Sequence, residues 1–376
     1  TYWNAGRGVP DVQLTLTGNR AFTAVSTDTG DYSVTGIPAG AYTLAANKTS
    51  HVQDISAYDA ALVLQHGAGL IQLLGNAFIA GDVNKSGAID AMDAFYILQK
   101  SVDLIELPFN GAGVIWSFSP ATYSFANITS DQSNQDFQAV LIGDPSGNWA
   151  ETGIVTASNS QIRGLDAASD RSSHITLQNG GEPALLTLPT MTMAKGATVS
   201  APLTLTGGTA GFIGADLVIH YNAAVICPLT VRLGQAAKDW TLVTNLDIPG
   251  EIRVGMAGLQ PLTTSGILLD LQLQAIGSSG TSSPLTFELA QLNEGRVALV
   301  TEPGSVTILG DITKGDVNGD GMVDLTDALL VMRMLIGLDL GQLMNSSADV
   351  NGDHTIGIAE VIYILQRVAG FGDSNP

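Results

Sequence analysis

Asp316-Val-Asn-Gly-Asp-Gly-Met-Val-Asp-Leu-Thr-Asp327 is the stretch on which the reading of this chain turns. Calcium takes roughly six to eight oxygens, and a loop of the EF-hand type supplies them from its first, third, fifth, seventh, ninth and twelfth places, with glycine at the sixth for a sharp turn. Here those places hold Asp316, Asn318, Asp320, the Met322 carbonyl, Asp324 and Asp327, with Gly321 at the turn. Every ligand place is filled. A second loop offers Asp349, Asn351, Asp353, the Thr355 carbonyl and Glu360, with Gly357 at the ninth place and His354 where glycine is preferred. A third offers Asp82, Asn84, Ser86, the Ala88 carbonyl, Asp90 and Asp93, with Gly87 at the turn and a hydroxyl replacing one acid. Calcium is the expected cofactor at all three, more weakly at the third.

Each loop runs into an apolar stretch of helical length, and the stretch occurs four times: Ser56–Gln65, Asp90–Gln99, Asp324–Arg333 and Gly357–Gln366. Counting back from Asp59 in the first copy puts Lys48 and Val52 where the first and fifth ligands belong. A cation and a hydrocarbon cannot serve there, so that fourth loop is expected to be metal-free. The eighth place is Ile55, Ile89, Val323 or Ile356, which predicts paired loops meeting in a short β-bridge. Asp at a helix N-cap is common without any metal. Three loops in one phase favour metal.

Two loop-and-helix units without an entering helix, carrying Gly315-Asp-Val-Asn-Gly-Asp-Gly321 and Ala348-Asp-Val-Asn-Gly-Asp353, resemble the dockerin module. The likeness covers 311–371 well and 48–105 in degenerate form. It implies that Leu325, Thr326, Ile358 and Ala359 face a partner. Because the Leu-Thr and Ile-Ala pairs differ, one preferred docking face is expected.

The rest reads as β-structure, with period-2 strands broken by Gly-containing turns. Val9–Gly18 and Thr27–Leu44 resemble the carboxypeptidase-regulatory or collagen-adhesin B-type sandwich, whose remaining strands are expected at 113–120, 122–128 and 136–142. From Ala184 to Leu309 a second set of strands resembles a cohesin, the jelly-roll sandwich that receives dockerins. Its marks are Asp216–Tyr221 running into Asn222-Ala-Ala-Val225, the Gly250 turn, and Leu292-Asn-Glu-Gly295 before the final strand. The expected fold class is mainly β with small α modules: two antiparallel β-sandwiches and two dockerin-like pairs. The expected divisions are a first sandwich at 1–47 and 112–143, an inserted helical pair at 48–111, a linker at 144–172, a cohesin-like sandwich at 173–309 and a dockerin at 310–371.

Composition limits the function. With 15 Lys and Arg against 35 Asp and Glu, the net charge of −20 disfavours nucleic acid and favours cations. Cys227 is alone, so no intrachain disulfide forms, and it reads as a small buried apolar residue. No run is long enough for a membrane span. His51, His66, His174, His220 and His354 lie far apart in sequence, and no metalloprotease, nucleophile-elbow or phosphate-loop motif occurs. No catalytic residue is expected. Sequons at Asn47, Asn127 and Asn345, with loops suited to extracellular calcium, point outside the cell or to its surface. Trp3, Trp116, Trp149 and Trp240 could stack on cell-surface glycans, though Trp in short strands more often serves a core.

The chain is therefore expected to be a non-catalytic, calcium-binding structural protein. Residues 310–314 reach at most roughly 18 Å, so docking of its dockerin on its own cohesin-like sandwich is expected between copies, head to tail, as a filament or surface layer. The alternative is an adaptor in a cellulosome-like complex for polysaccharide breakdown, recruiting dockerin-bearing enzymes.

Overall fold

The computed structural model describes residues 1–4, 6–149, 183–207, 211–262, 264–309, 314–338 and 348–371. The chain is mainly β with small helical modules. Near its start, β1 (Gln13–Gly18), β2 (Ala21–Val25), β3 (Gly40–Asn47) and β5 (Thr122–Ile128) form one sheet in the order β2-β1-β3-β5. A second ladder pairs β4 (Trp116–Ser119) with β6 (Gln138–Leu141). Alternation turns Leu14, Leu16, Tyr42 and Leu44 into a core shared with Trp116, Leu141, Tyr2 and Trp149. Trp116 and Trp149 meet edge to face at 5.1 Å. Both rings are buried, which leaves neither free to stack on a sugar.

Asp144 to Trp149 were expected to open a linker. They instead belong to this first unit. Asp144 is fully buried and accepts backbone N–H bonds from Gly147 and Trp149 and the Tyr2 hydroxyl. The remainder of the expected linker, from 150 to 172, lies outside the described residues.

Three helices intervene between β3 and β4: α1 (Ala57–Gly67), α2 (Asn76–Gly81) and α3 (Ala91–Ser101). α1 and α3 start with reciprocal caps, Ser56 with Asp59 and Asp90 with Asp93. Ile55 and Ile89 join their common core. No β-bridge joins them among the described residues; apolar packing alone brings the two loops together.

The second sandwich has a sheet of β12 (Thr241–Asn245), β13 (Glu251–Ala257), β10 (Gly214–His220), β15 (Ser282–Leu292), β17 (Gly304–Ile308) and β8 (Thr190–Met193), in that order. Facing it are β11 (Ile226–Leu233), β14 (Gly266–Ala275), β9 (Thr198–Thr206), β7 (Ala184–Thr187) and β16 (Leu299–Glu302). Pairing is antiparallel except at β16 with β7 and β17 with β8, which run parallel. Leu188-Pro189 separates β7 from β8 and carries the chain from one sheet to the other. Cys227 is half-buried in β11 rather than a core residue.

Ala215, Leu217 and Ile219 of β10 point into this sandwich, so Gly214 and Asp216 point out of it. The helical pair sits on that outer face. A Cβ on Gly214 would lie 2.6 Å from the Tyr58 Cα, and one on Gly255 would lie 2.6 Å from the Ser101 Oγ and 3.2 Å from a Val102 methyl. The glycines are what allow helix and sheet to approach. The Ala57 N–H donates to both oxygens of Asp216 at 3.0 Å, Gln65 donates to the Leu259 carbonyl at 3.1 Å, and Asn245 donates to the Val102 carbonyl at 3.0 Å. Arg253 pairs with Asp103 at the rim.

Burial pushes the Asp216 carboxyl up from its ordinary 3.8 to about 7, against the lowering effect of the Ala57 N–H and the Ser101 hydroxyl. The folded chain thus holds this proton more tightly than the unfolded one. The sign follows: stability from this group is full at acid pH and falls as pH rises from about 4 to about 7. Asp216→Asn, which keeps the acceptor and cannot ionise, is expected to flatten that decline and to raise the melting temperature above wild type at pH 8, with little change at pH 5. Thermal melts at fixed calcium read both; an Asn variant less stable than wild type at pH 8 contradicts the assignment.

Candidate calcium loops and docking face

The C-terminal module consists of α4 (Leu325–Leu335) and α5 (Ile358–Val368), each preceded by its loop. Val317, Ala328, Val331, Ala348, Val361 and Ile364 form its small core, with Val323 and Ile356 packed against it. These eighth-place residues meet through that core, again without a described β-bridge.

In the first loop Asp316 accepts the N–H groups of Gly319 and Gly321, both at 2.9 Å. Asn318 and Asp320 accept from the residue two places on. Asp327 reaches back to the Asn318 and Asp324 N–H groups at 2.9 and 3.0 Å. The second loop repeats the pattern: Asp349 accepts from Gly352 and His354, Asn351 from Asp353, Asp353 from Thr355 and Glu360 from Val350 and Gly357. His354 carries φ +64°, the left-handed turn that Gly87 and Gly321 adopt at φ +90° and +87°. Strain at His354 is the cost of a side chain there.

The loop from Asp82 is built alike. Asp82 accepts from Ser86 and Gly87, Asn84 from Ser86, and Asp93 from Asn84 and Asp90. In all three loops, the side chains at the first, third, fifth and twelfth places accept backbone N–H groups of the loop itself. Asp90 and Asp324 also cap α3 and α4.

The donor set fits calcium. Asp93, Asp327 and Glu360 are at most 1% exposed and form no ion pair with a described residue. A buried carboxylate without a counter-charge costs several kcal/mol. Burial accordingly pushes the carboxyls of Asp93 and Asp316 up, and neighbouring loop carboxylates push them the same way. A divalent cation would relieve both effects, held by the side-chain oxygens named above and the Ala88, Met322 and Thr355 carbonyls.

The loop before α1 is held differently. Lys48 is buried, and its ammonium donates to the Pro10 carbonyl at 2.6 Å and to Ser50 at 3.3 Å. The Trp116 and Trp149 indoles donate to the Ser50 and His51 carbonyls at 3.0 and 2.9 Å. Asp59, at the twelfth place, turns instead to the N–H groups of Ser56 and Ser146. Lysine and two indoles thus supply hydrogen-bond donors that hold this stretch against the first sandwich.

Asp59 also belongs to a buried junction that sequence reasoning missed. Ser56 and Ser146 both donate to Glu294, at 2.9 and 3.0 Å, beside Asp144. Burial raises all three carboxyls, Glu294 to about 7 against the lowering effect of Arg296, and the neighbouring carboxylates push Asp59 and Glu294 further the same way. The acids come from positions 59, 144 and 294, whose convergence no local motif signals.

Residues 314–359 match the dockerin type I domain. No curated protein matches the chain. Among solved structures, the sixth cohesin of Acetivibrio cellulolyticus scaffoldin B, crystallised with a Cel5 dockerin mutant, is 16% identical, with 34% of this chain and 99% of that chain covered and a TM-score of 0.32. CaCohA2 from Clostridium acetobutylicum is 18% identical over 34% and 92% at a TM-score of 0.31. A non-cellulosomal cohesin from Archaeoglobus fulgidus is 16% identical over 34% and 93%, also at 0.31.

The dockerin module exposes a broad apolar surface. Leu325 is 59% exposed, Leu329 52%, Ile358 62%, Ile362 51% and Leu365 43%. Of the residues expected to face a partner, Leu325, Thr326 and Ile358 are exposed and Ala359 is half-buried. Asn47 and Asn127 are exposed, whereas Asn345 lies outside the described residues.

Chelation is expected to unfold the dockerin module while the β-sheets persist, because its core holds few side chains and its buried acids lose their cation. Far-ultraviolet circular dichroism should lose part of its helical signal on chelation and regain it with calcium. Asp327→Ala should reproduce that loss at saturating calcium; unchanged helicity in both experiments contradicts calcium-dependent folding.

Proposed function

We propose that this chain is a non-catalytic, extracellular assembly protein whose dockerin module, folded around two calcium ions, docks on a β-sandwich of another molecule. The exposed apolar surface of α4 and α5 carries the reading. A module with so small a core does not otherwise leave Leu325, Leu329, Ile358, Ile362 and Leu365 in water. Calcium acts through folding: it neutralises the loop acids, and the loops then fix the start of each helix so that the apolar residues share one surface. A third ion at the loop from Asp82 has a structural role between α2 and α3. Exposed Asn47 and Asn127 support glycosylation outside the cell.

The head-to-tail filament requires a receiving face on each copy. The outer face of the sheet containing β10 and β13 is covered by α1 and α3 of the same chain. That observation favours single-ended attachment through the dockerin module over both a polymer of copies and an adaptor that receives other dockerins on this face.

Immobilised full-length chain is expected to capture a sandwich-bearing secreted protein of its source in calcium and to release it on chelation. Leu325→Arg combined with Ile358→Arg should weaken capture at least about tenfold, since each places a charge at the centre of an apolar contact. Capture that survives both chelation and the double variant contradicts the proposal, as does the absence of any calcium-dependent partner.

A further inference from the structure

The four copies of the repeat share one phase, so Ala57 and Ala61 of α1 correspond to Leu325 and Leu329 of α4, and Leu98 of α3 to Leu365 of α5. In the inner pair these positions are lost to solvent: Ala57, Ala61 and Leu98 are each 0% exposed. Ala57 bonds to Asp216, and Leu98 comes within 3.4 Å of a Cβ placed on Gly255. In the C-terminal pair the corresponding leucines are 59%, 52% and 43% exposed. At these three positions the chain thus carries one helical surface twice, once seated on a sheet and once bare, while Ala91 and Phe95 of α3, which correspond to Ile358 and Ile362, stay exposed.

The seat is cut for small residues. A Cβ on Gly214 would already come within 2.6 Å of Tyr58 and 2.9 Å of Ala57 backbone atoms. Leucine side chains in place of Ala57 and Ala61 would have to displace β10 or tilt the helix, and overpacking of this kind typically costs about 1–3 kcal/mol. The bonds that flank the seat, from Asp216, Asn245, Leu259 and Arg253, are all made to the inner pair.

We infer that the inner helical pair is a permanent plug, closing the sheet face of the second sandwich in cis, and that the C-terminal dockerin is shaped for a roomier sheet on a different protein. The second half of this inference rests on the docking role proposed above; the first half does not. The chain is then one-ended. It attaches to a partner and offers no sheet on which a second copy, or another dockerin, can dock.

Sedimentation velocity and hydrogen exchange on the full chain in calcium test this directly. Expected are a monomer up to about 100 μM and strong amide protection over Ala57–Leu62 that does not change with concentration. Ala61→Leu is expected to reduce that protection about tenfold or more, as a misfit at the seat requires. A calcium-dependent dimer with new protection over Leu325–Met332 would overturn the inference, because a second copy would then be the partner. Open-chain exchange over Ala57–Leu62 would overturn the plug itself, and an Ala61→Leu variant with full protection would remove the argument from size. If no partner is ever captured while these results hold, the docking role fails and the plug stands.

Discussion

The seating of α1 and α3 on the outer face of β10 and β13 is the contact on which the arrangement of the first 309 residues depends. Gly214 and Gly255 remove the side chains that would hold helix and sheet apart. Asp216 then meets the N–H at the start of α1, one of the orphan donors that every helix end presents. Because α1 and α3 are also tied at both ends to the first sandwich, this contact couples the two sandwiches. Ser146, Glu294 and Asp59 make a second tie, through hydrogen bonds that cross between the units.

The same repeat has been put to two uses. In the C-terminal module one loop offers four acidic side chains and the other three, and the helices that follow carry leucine and isoleucine outward. In the inner module the loop before α1 is held by Lys48 and two indole donors. Its helix has exchanged leucine for alanine where it meets the sheet. Both differences suit α1 to a fixed seat, while the loop from Asp82 before α3 keeps the ligand pattern of the C-terminal loops. A calcium ion can leave; a lysine ammonium cannot.

The three acidic loops and the helices that follow them were legible in the sequence because their pattern is local: each loop place is set by its distance from the first aspartate, and the helices follow by their caps. The insertion between Asn47 and Trp116 was legible too, since Val9–Leu44 contains too few strands to close a sandwich. What escaped were β2, α2, β7, β8, β12 and β16. β7 and β8 are short and divided by Pro189, and β16 pairs only with β7. The place where Asp144 and Trp149 belong was also missed, because a Gly- and Ser-rich stretch reads as linker whether or not one buried indole anchors it. Least legible was the plug. Nothing in Gly214 or Gly255 by itself says that a helix from 150 residues earlier will lie across it, and the distance between them in sequence hides their shared face.

Differential scanning calorimetry of the full chain, in calcium and after chelation, addresses the central claim most directly. If the inner pair welds the two sandwiches together, one large transition unfolds both of them, and a smaller one belonging to the dockerin module vanishes with calcium. Two separate large transitions, one for each sandwich, would show that the helical pair does not join them.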